Sequence, residues 1–330
     1  MKFTIVTLLL PAAAEAFAPS AHHHGVRSSS SSIKATTDEF VVGILGDLHI
    51  DPRKMEDYGV GKSHFEPIFA EAKSDGKGVA LVSLGDLGES KNCDHNPESD
   101  SELFAGTTQC HEMAAEFLGS FGVPYDVVGG NHDLEGLDEF ETDEENLAMY
   151  LKAHGKDTPH FCREVADKTL LVGMGSTVFR DAVYTSHEVT IDQQQIDWFE
   201  NLVQTHPAEE GWKIFVFTHA PPNGSGLRVL QENHVVNGCC WLNHSNEKQC
   251  QKFIQLVREH RCIKVSQEGY IYIFLLGYYF ILLSAIINMH VYFSLLFLIR
   301  FLYVFFTFSS TRHGSLDTST WVRITRIVSL

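Results

Sequence analysis

The chain has 330 residues, room for one large domain or two ordinary ones. Its formal net charge of −17 excludes a general nucleic-acid binder, which needs a basic surface. Seven cysteines include no Cys-x-x-Cys pair, and the adjacent Cys239-Cys240 cannot form an unstrained bridge, so neither a zinc–cysteine site nor a disulfide framework is expected.

The first residues read as a targeting segment. Lys2 precedes an apolar stretch, Phe3 to Ala14, that is too short to span a membrane comfortably, and small residues follow. Residues 1–16 thus read as a signal peptide, cleaved after Ala16. Residues 17–37 contain no Asp or Glu, carry Arg27 and Lys34, and include the serine run Ser28 to Ser32, as transit peptides do. The two together resemble the bipartite presequence of algae whose plastids lie behind extra membranes. A plastid is the expected destination; secretion with a disordered linker is the alternative. His22-His23-His24 reads as solvated presequence rather than a metal site.

A domain is expected over residues 38–264. Its first apolar run, Phe40 to Leu45, reads as a strand and ends in Gly46-Asp47-Leu48-His49. His64 to Ala72 reads as an amphipathic helix. A second strand, Val79 to Leu84, ends in Gly85-Asp86-Leu87-Gly88-Glu89, and the polar run Ser90 to Gly106 reads as a loop near the site. After a helix over Cys110 to Leu118, a third strand, Val123 to Val128, runs into Gly129-Gly130-Asn131-His132-Asp133. The acidic residues 138 to 145 read as a solvated loop or helix start. A further strand is expected over Thr169 to Gly173. Asp192 to Gln195 has the spacing of a capping box and opens a helix carrying Ile196, Phe199, Leu202 and Val203. Ile214 to Phe217 is again a strand, ending in Thr218-His219-Ala220-Pro221. Ser245 to His260 reads as a helix with Phe253, Leu256 and Val257 inward. Four apolar strands therefore each deliver Asp, His or Asn at the carboxyl end, the edge where open α/β sheets bind ligands. Asp and Asn oxygens with imidazole nitrogens are a donor set for divalent metals.

In this order the blocks Asp-x-His, Gly-Asp, Gly-Asn-His-Asp and His resemble the calcineurin-like metallophosphoesterase superfamily, over roughly Phe40 to Lys264. The resemblance implies a layered α/β/β/α sandwich, truncated at its C-terminal end because the family's last block, Gly-His-x-His, is missing. It implies two divalent ions (Mn, Fe or Zn), with Asp86 bridging, Asp47 and His49 on one ion, and Asn131 and His219 on the other. It gives His132 the role of general acid or charge stabiliser at the leaving group. In the protein-phosphatase branch an Asp in Gly-Asp-x-x-Asp-Arg orients this histidine. Glu89 and Ser90 stand at the equivalent positions, so Glu89 is the expected orienter. The absent Arg removes a bidentate phosphate contact and favours a small phosphomonoester or phosphodiester over a phosphoprotein. His234 and His244, in the Gly-, Asn- and His-rich stretch Pro221 to His244, are candidate phosphate contacts.

Beyond Lys264 the composition changes. Residues 266–308 lack Asp, Lys, Pro and Trp and are crowded with Phe, Ile, Leu and Tyr. Taken literally, 265–330 is a hydrophobic tail with a transmembrane segment over 270–308, since about 20 apolar residues cross a bilayer. The rival reading is a retained intron. Lys264-Val265-Ser266 can be encoded by a splice-donor consensus, and T- and A-rich DNA encodes such a tail. One allowed shifted frame through His313 to Leu330 reads Ala-Trp-Phe-Ser-Gly-His-Phe-His, which restores the missing block. The expected function is therefore metal-dependent hydrolysis of a small phosphorylated substrate, without nucleic acid, and with a membrane only if the tail is translated. The alternatives are an inactive phospho-ligand-binding relative and a membrane-anchored protein.

Overall fold

A computed structural model describes residues 3–9, 39–90, 103–183, 188–222, 241–263, 302–309 and 326–329. The strands are β1 (Phe3–Leu9), β2 (Phe40–Leu45), β3 (Gly78–Ser83), β4 (Tyr125–Val127), β5 (Phe161–Ala166), β6 (Thr169–Met174), β7 (Lys213–Thr218), β8 (Leu302–Ser309) and β9 (Arg326–Ser329). The helices are α1 (Met55–Ser63), α2 (Glu66–Ser74), α3 (Thr108–Gly119), α4 (Asp143–Ala153), α5 (Gln193–Thr205) and, over Glu247–Glu259, α6.

One sheet has the order β4-β3-β2-β1-β8-β9 and the other β5-β6-β7. β2, β3 and β4 run parallel, as do β6 and β7. Period-two alternation explains how the layers stack. Phe40, Val42 and Ile44 of β2 pack with Ala80 and Val82 of β3 against Leu171, Phe215 and Phe217 of the other sheet. The alternate residues Val41, Leu45 and Leu81 face Phe65, Phe69, Phe117 and Tyr150 on the first helical layer. On the far side, Leu170, Val172, Ile214 and Val216 meet Ile196, Phe199 and Phe253 of α5 and α6. The molecule is thus the expected α/β/β/α sandwich.

Several elements differ in detail from the sequence reading. β4 is shorter than expected, because Pro124 has no N–H to continue the ladder; Val128 N–H still donates to Ser83 at 2.9 Å. α2 starts at Glu66, with Pro67 in its first turn. α1 was not foreseen, since Gly59 and Gly61 dilute its pattern. β5 was also missed, because Arg163 and Glu164 interrupt its apolar run. The acidic run holds a correction: Asp143 is buried, and its carboxylate accepts the backbone N–H groups of Phe179, Arg180 and Asp181.

Phe3–Leu9, expected within a targeting segment, lies antiparallel to β2. Leu302–Ser309 is a strand parallel to β1, so the end of the expected membrane segment is not helical here. Among the described residues no helix is long and apolar enough to cross a membrane. The rest of the presequence, most of the tail, His234 and most of the 221–244 stretch lie outside the described residues.

Candidate metal centre

Asp47, Asp86, Asn131 and His219 are delivered by the carboxyl ends of β2, β3, β4 and β7. Ligating atoms of Asp47, Asp86 and His219 lie within 4.8 Å of one another. His219 Nδ1 donates to the Leu84 carbonyl at 2.7 Å, so the ring turns Nε2 into the site. Nε2 lies 3.0 Å from Asn131 Oδ1 and 3.3 Å from Asp86 Oδ2. Two oxygen acceptors thus converge on a nitrogen that is itself an acceptor in neutral imidazole. Such a set is stable only with a cation or proton between its members. Asp47 Oδ1 is buried without a hydrogen-bond donor and Asp86 Oδ2 has only His219 Nε2 beside it, which fits a metal in the same way. Asp86 Oδ1 is occupied by the His132 backbone N–H at 3.1 Å, leaving Oδ2 as its ligating atom.

His49 stands beside this group. Its Nδ1 donates to the Gly88 carbonyl at 3.0 Å, which leaves Nε2 for a metal. His49 N–H and Ile50 N–H bond Asp86 O and Leu87 O, each at 2.8 Å, so the first two loops run as a pair. His49 (φ 40°) and Asp86 (φ 50°) both hold left-handed backbone, a strain that persists where surrounding contacts impose it. Tyr58 O–H donates to the His49 carbonyl at 2.5 Å. The Asp133 carboxylate accepts the N–H groups of Asp86, Leu87 and Gly130 at 3.0, 2.8 and 2.7 Å. Gly130 is required by proximity: a Cβ there would sit 2.3 Å from Asp86 Oδ1 and 3.0 Å from His219.

The charges are strongly coupled. Burial opposes ionisation of Asp86, but His219, His132 and His49 hold its carboxyl well below the usual range. Burial likewise opposes the charge on His219 and His132, and there Asp86 prevails, raising them to about 10 and about 9. Burial and the Asp86 charge lift Asp133 to about 6.

The structure corrects one expected role. His132 Nδ1 meets Glu135 Oε2 at 2.8 Å, not Glu89. The Ile50–Gly88 bridge runs Glu89 alongside the first loop, where it lies 3.8 Å from His49 Nδ1. The His132-x-x-Glu135 spacing is the signal in the sequence that could have found this pair. Tyr58 and the clamping role of Asp133 were also missed; no residue pattern announces a side chain that bonds backbone. His244 is half-buried and lines a cavity of about 560 Å³ along α6 with Glu247, Gln251 and Arg258.

A four-layer α/β sandwich with carboxylates, an amide and an imidazole at one strand edge defines the class as a metal-dependent hydrolase. The family model described as calcineurin-like phosphoesterase matches residues 40–252, and the chain belongs to that family. It is accordingly a metallophosphoesterase. A similar solved structure, a dimetal phosphatase from Danio rerio, is 12% identical and covers 68% of this chain and 79% of its own, with a TM-score of 0.44. A search of curated proteins found no match.

Proposed function

We propose that the protein hydrolyses small phosphomonoesters or phosphodiesters with two divalent ions held by Asp47, His49, Asp86, Asn131 and His219. The observation that supports this reading is the buried convergence of Asp47, Asp86 and His219 with acceptors facing acceptors. Metals bound there would neutralise phosphoryl oxygens and lower the pKa of water towards about 7. The chain's own residues do the rest. Asp86, fixed through Oδ1, keeps Oδ2 in the site. His132 gives its Nε2 proton to the leaving oxygen as the P–O bond breaks, and water supplies the oxygen that replaces it on phosphorus. The test is turnover of an aryl phosphate and a bis-aryl phosphate by chelated protein given Mn²⁺, Fe²⁺ or Zn²⁺. Metal-dependent hydrolysis of either is expected; none with any ion would overturn the reading.

The missing Gly-His-x-His favours a second reading, a relative that binds phosphate without turning it over. Counting bound ions separates the two. The 330-residue chain is compared with one in which Lys264 is followed by Ala-Trp-Phe-Ser-Gly-His-Phe-His. The hydrolase reading expects two tightly held ions in the second chain and weaker binding in the first.

A further inference from the structure

We propose that Glu135, anchored by Ser90, is the positioning residue that holds His132 with Nε2 towards the leaving group; this rests on the hydrolase reading above. The two oxygens of Glu135 are divided between two donors. Oε2 faces His132 Nδ1 at 2.8 Å, and Oε1 accepts the Ser90 hydroxyl at 2.9 Å. The Glu135 side chain has no exposed surface, and a carboxylate so buried stays ionised only when donors surround it. With Nδ1 committed to Glu135, Nε2 is the ring nitrogen turned away from that carboxylate.

The backbone around Glu135 is built to keep it in place. Glu135 N–H closes a turn onto the His132 carbonyl at 3.1 Å. Asn146 ties the next residue to the facing loop: its Oδ1 accepts Gly136 N–H at 2.9 Å, and its Nδ2 donates to Gly106 O at 2.7 Å. A Cβ on Gly106 would stand 2.4 Å from Glu135 N, so the two loops touch backbone to backbone. Ser90 comes from the loop after β3 and Glu135 from the loop after β4. Their bond therefore locks the leaving-group histidine to the strand that supplies Asp86. Glu89, one residue before Ser90, is a third exposed and faces His49 instead.

Glu135→Ala, Glu135→Gln and Ser90→Ala would be compared on an alkyl phosphate and on 4-nitrophenyl phosphate. Glu135→Ala should lower kcat on the alkyl ester by about 10²-fold, the low end for general acid catalysis, with KM and bound metal unchanged. The activated ester, whose leaving oxygen needs no proton, should lose much less. Glu135→Gln keeps an acceptor for Nδ1–H and a donor for the Ser90 oxygen, so it should recover most of the loss and guards against a folding defect in the alanine variant. Ser90→Ala should fall between them. Histidine side-chain NMR of the chelated protein gives a readout without turnover. The hydrogen-bonded Nδ1–H signal of His132 should vanish in Glu135→Ala and persist in Glu135→Gln and Glu89→Gln. Equal losses on both esters, loss of metal, or a signal that follows Glu89 would overturn the proposal. Wild-type protein inactive on every phosphoester would sink the hydrolase reading instead, while the NMR arm still decides whether Glu135 holds His132.

Discussion

Among the described residues, histidines are buried or nearly so in two places, and they behave in opposite ways. At the carboxyl edge of the sheets, His219 and His132 are raised to about 10 and about 9. Between α3 and α4, His111 and His154 are lowered to about 4 and about 3. Burial opposes the charged form in all four. At the sheet edge Asp86 and Glu135 overcome it. Between the helices the neighbours are rings: His111 packs edge-on against Tyr150 at 5.4 Å, and His154 lies 5.1 Å from the same ring. A buried histidine thus marks a reactive site only where the fold aims a carboxylate at it. The edge pair also sits among strained loops, at His49 and Asp86.

Removing the carboxylate at the edge breaks the contrast most severely. Asp86→Asn withdraws the charge shared by both edge histidines and the one oxygen free to ligate. Metal-dependent turnover of an aryl phosphate should fall by more than about 10³-fold, because the lost charge stabilisation is worth several kcal/mol and each 1.36 kcal/mol is tenfold. Near-normal turnover at saturating Mn²⁺ would show that Asp86 is not a ligand. His132→Ala should come next, costing roughly 10²–10⁴-fold on alkyl esters with most metal retained. Loss of the ions instead would make His132 a ligand.

The contrast also shows what a sequence can carry. The four ligand-bearing strands were readable because each is a short run of β-branched and apolar residues ending in Gly, Asp, Asn or His, and their layers follow from alternation in β2, β6 and β7. Asp47, Asp86, Asn131 and His219 were readable for the same reason. The partners of the histidines were not. Glu89 holds the position the family pattern points to, yet it faces His49, because loop pairing between Ile50 and Gly88 decides its direction. Glu135 lies just before the acidic run 138 to 145 and Asp143 within it, and only tertiary contact distinguishes them from the exposed acids nearby. His111 and His154 carry no mark in the chain that they are packing residues.

The opposite shifts should separate in the pH dependence of stability of the chelated protein. His111 and His154 have folded pKa values below the ordinary 6.5. From about pH 6.5 down towards 4 the unfolded chain therefore takes up protons that the folded chain refuses, and stability is lost as pH falls. The slope should approach about 1.4 kcal/mol per pH unit for each group. His219 and His132 have raised values, so their stabilisation is complete below 6.5 and is lost progressively as pH rises from 6.5 to about 10 and about 9 respectively. They add no slope in the acid window, but Asp133, lifted to about 6, takes up a proton in the folded chain there and offsets part of the loss. Urea unfolding between pH 7 and 5 measures this. His111→Phe, which keeps a ring against Tyr150, should reduce the acid slope by up to about 1.4 kcal/mol per pH unit, and an unchanged slope would show that His111 is protonated in the folded chain.

The smallest effect tests the strain at the edge. Tyr58 is buried on α1, and its hydroxyl reaches the His49 carbonyl at 2.5 Å and the Leu48 carbonyl at 3.3 Å. It holds the peptide whose left-handed φ sets His49 with Nδ1 on the Gly88 carbonyl. Tyr58→Phe removes only that hydroxyl and keeps the ring packed on Phe117 at 5.6 Å. The expected loss is that of an ordinary hydrogen bond, about 1 kcal/mol in urea unfolding. Because the strained loop carries His49, a ligand in the proposed function, the same variant should also weaken metal affinity, whereas an equally small deletion between the helices should not. Tyr150→Phe supplies that comparison, since its hydroxyl has no hydrogen-bond partner. It should leave metal affinity unchanged and cost less stability than Tyr58→Phe. Equal effects of the two on ion binding, measured by calorimetry, would show that the loop needs no brace from α1 to hold His49.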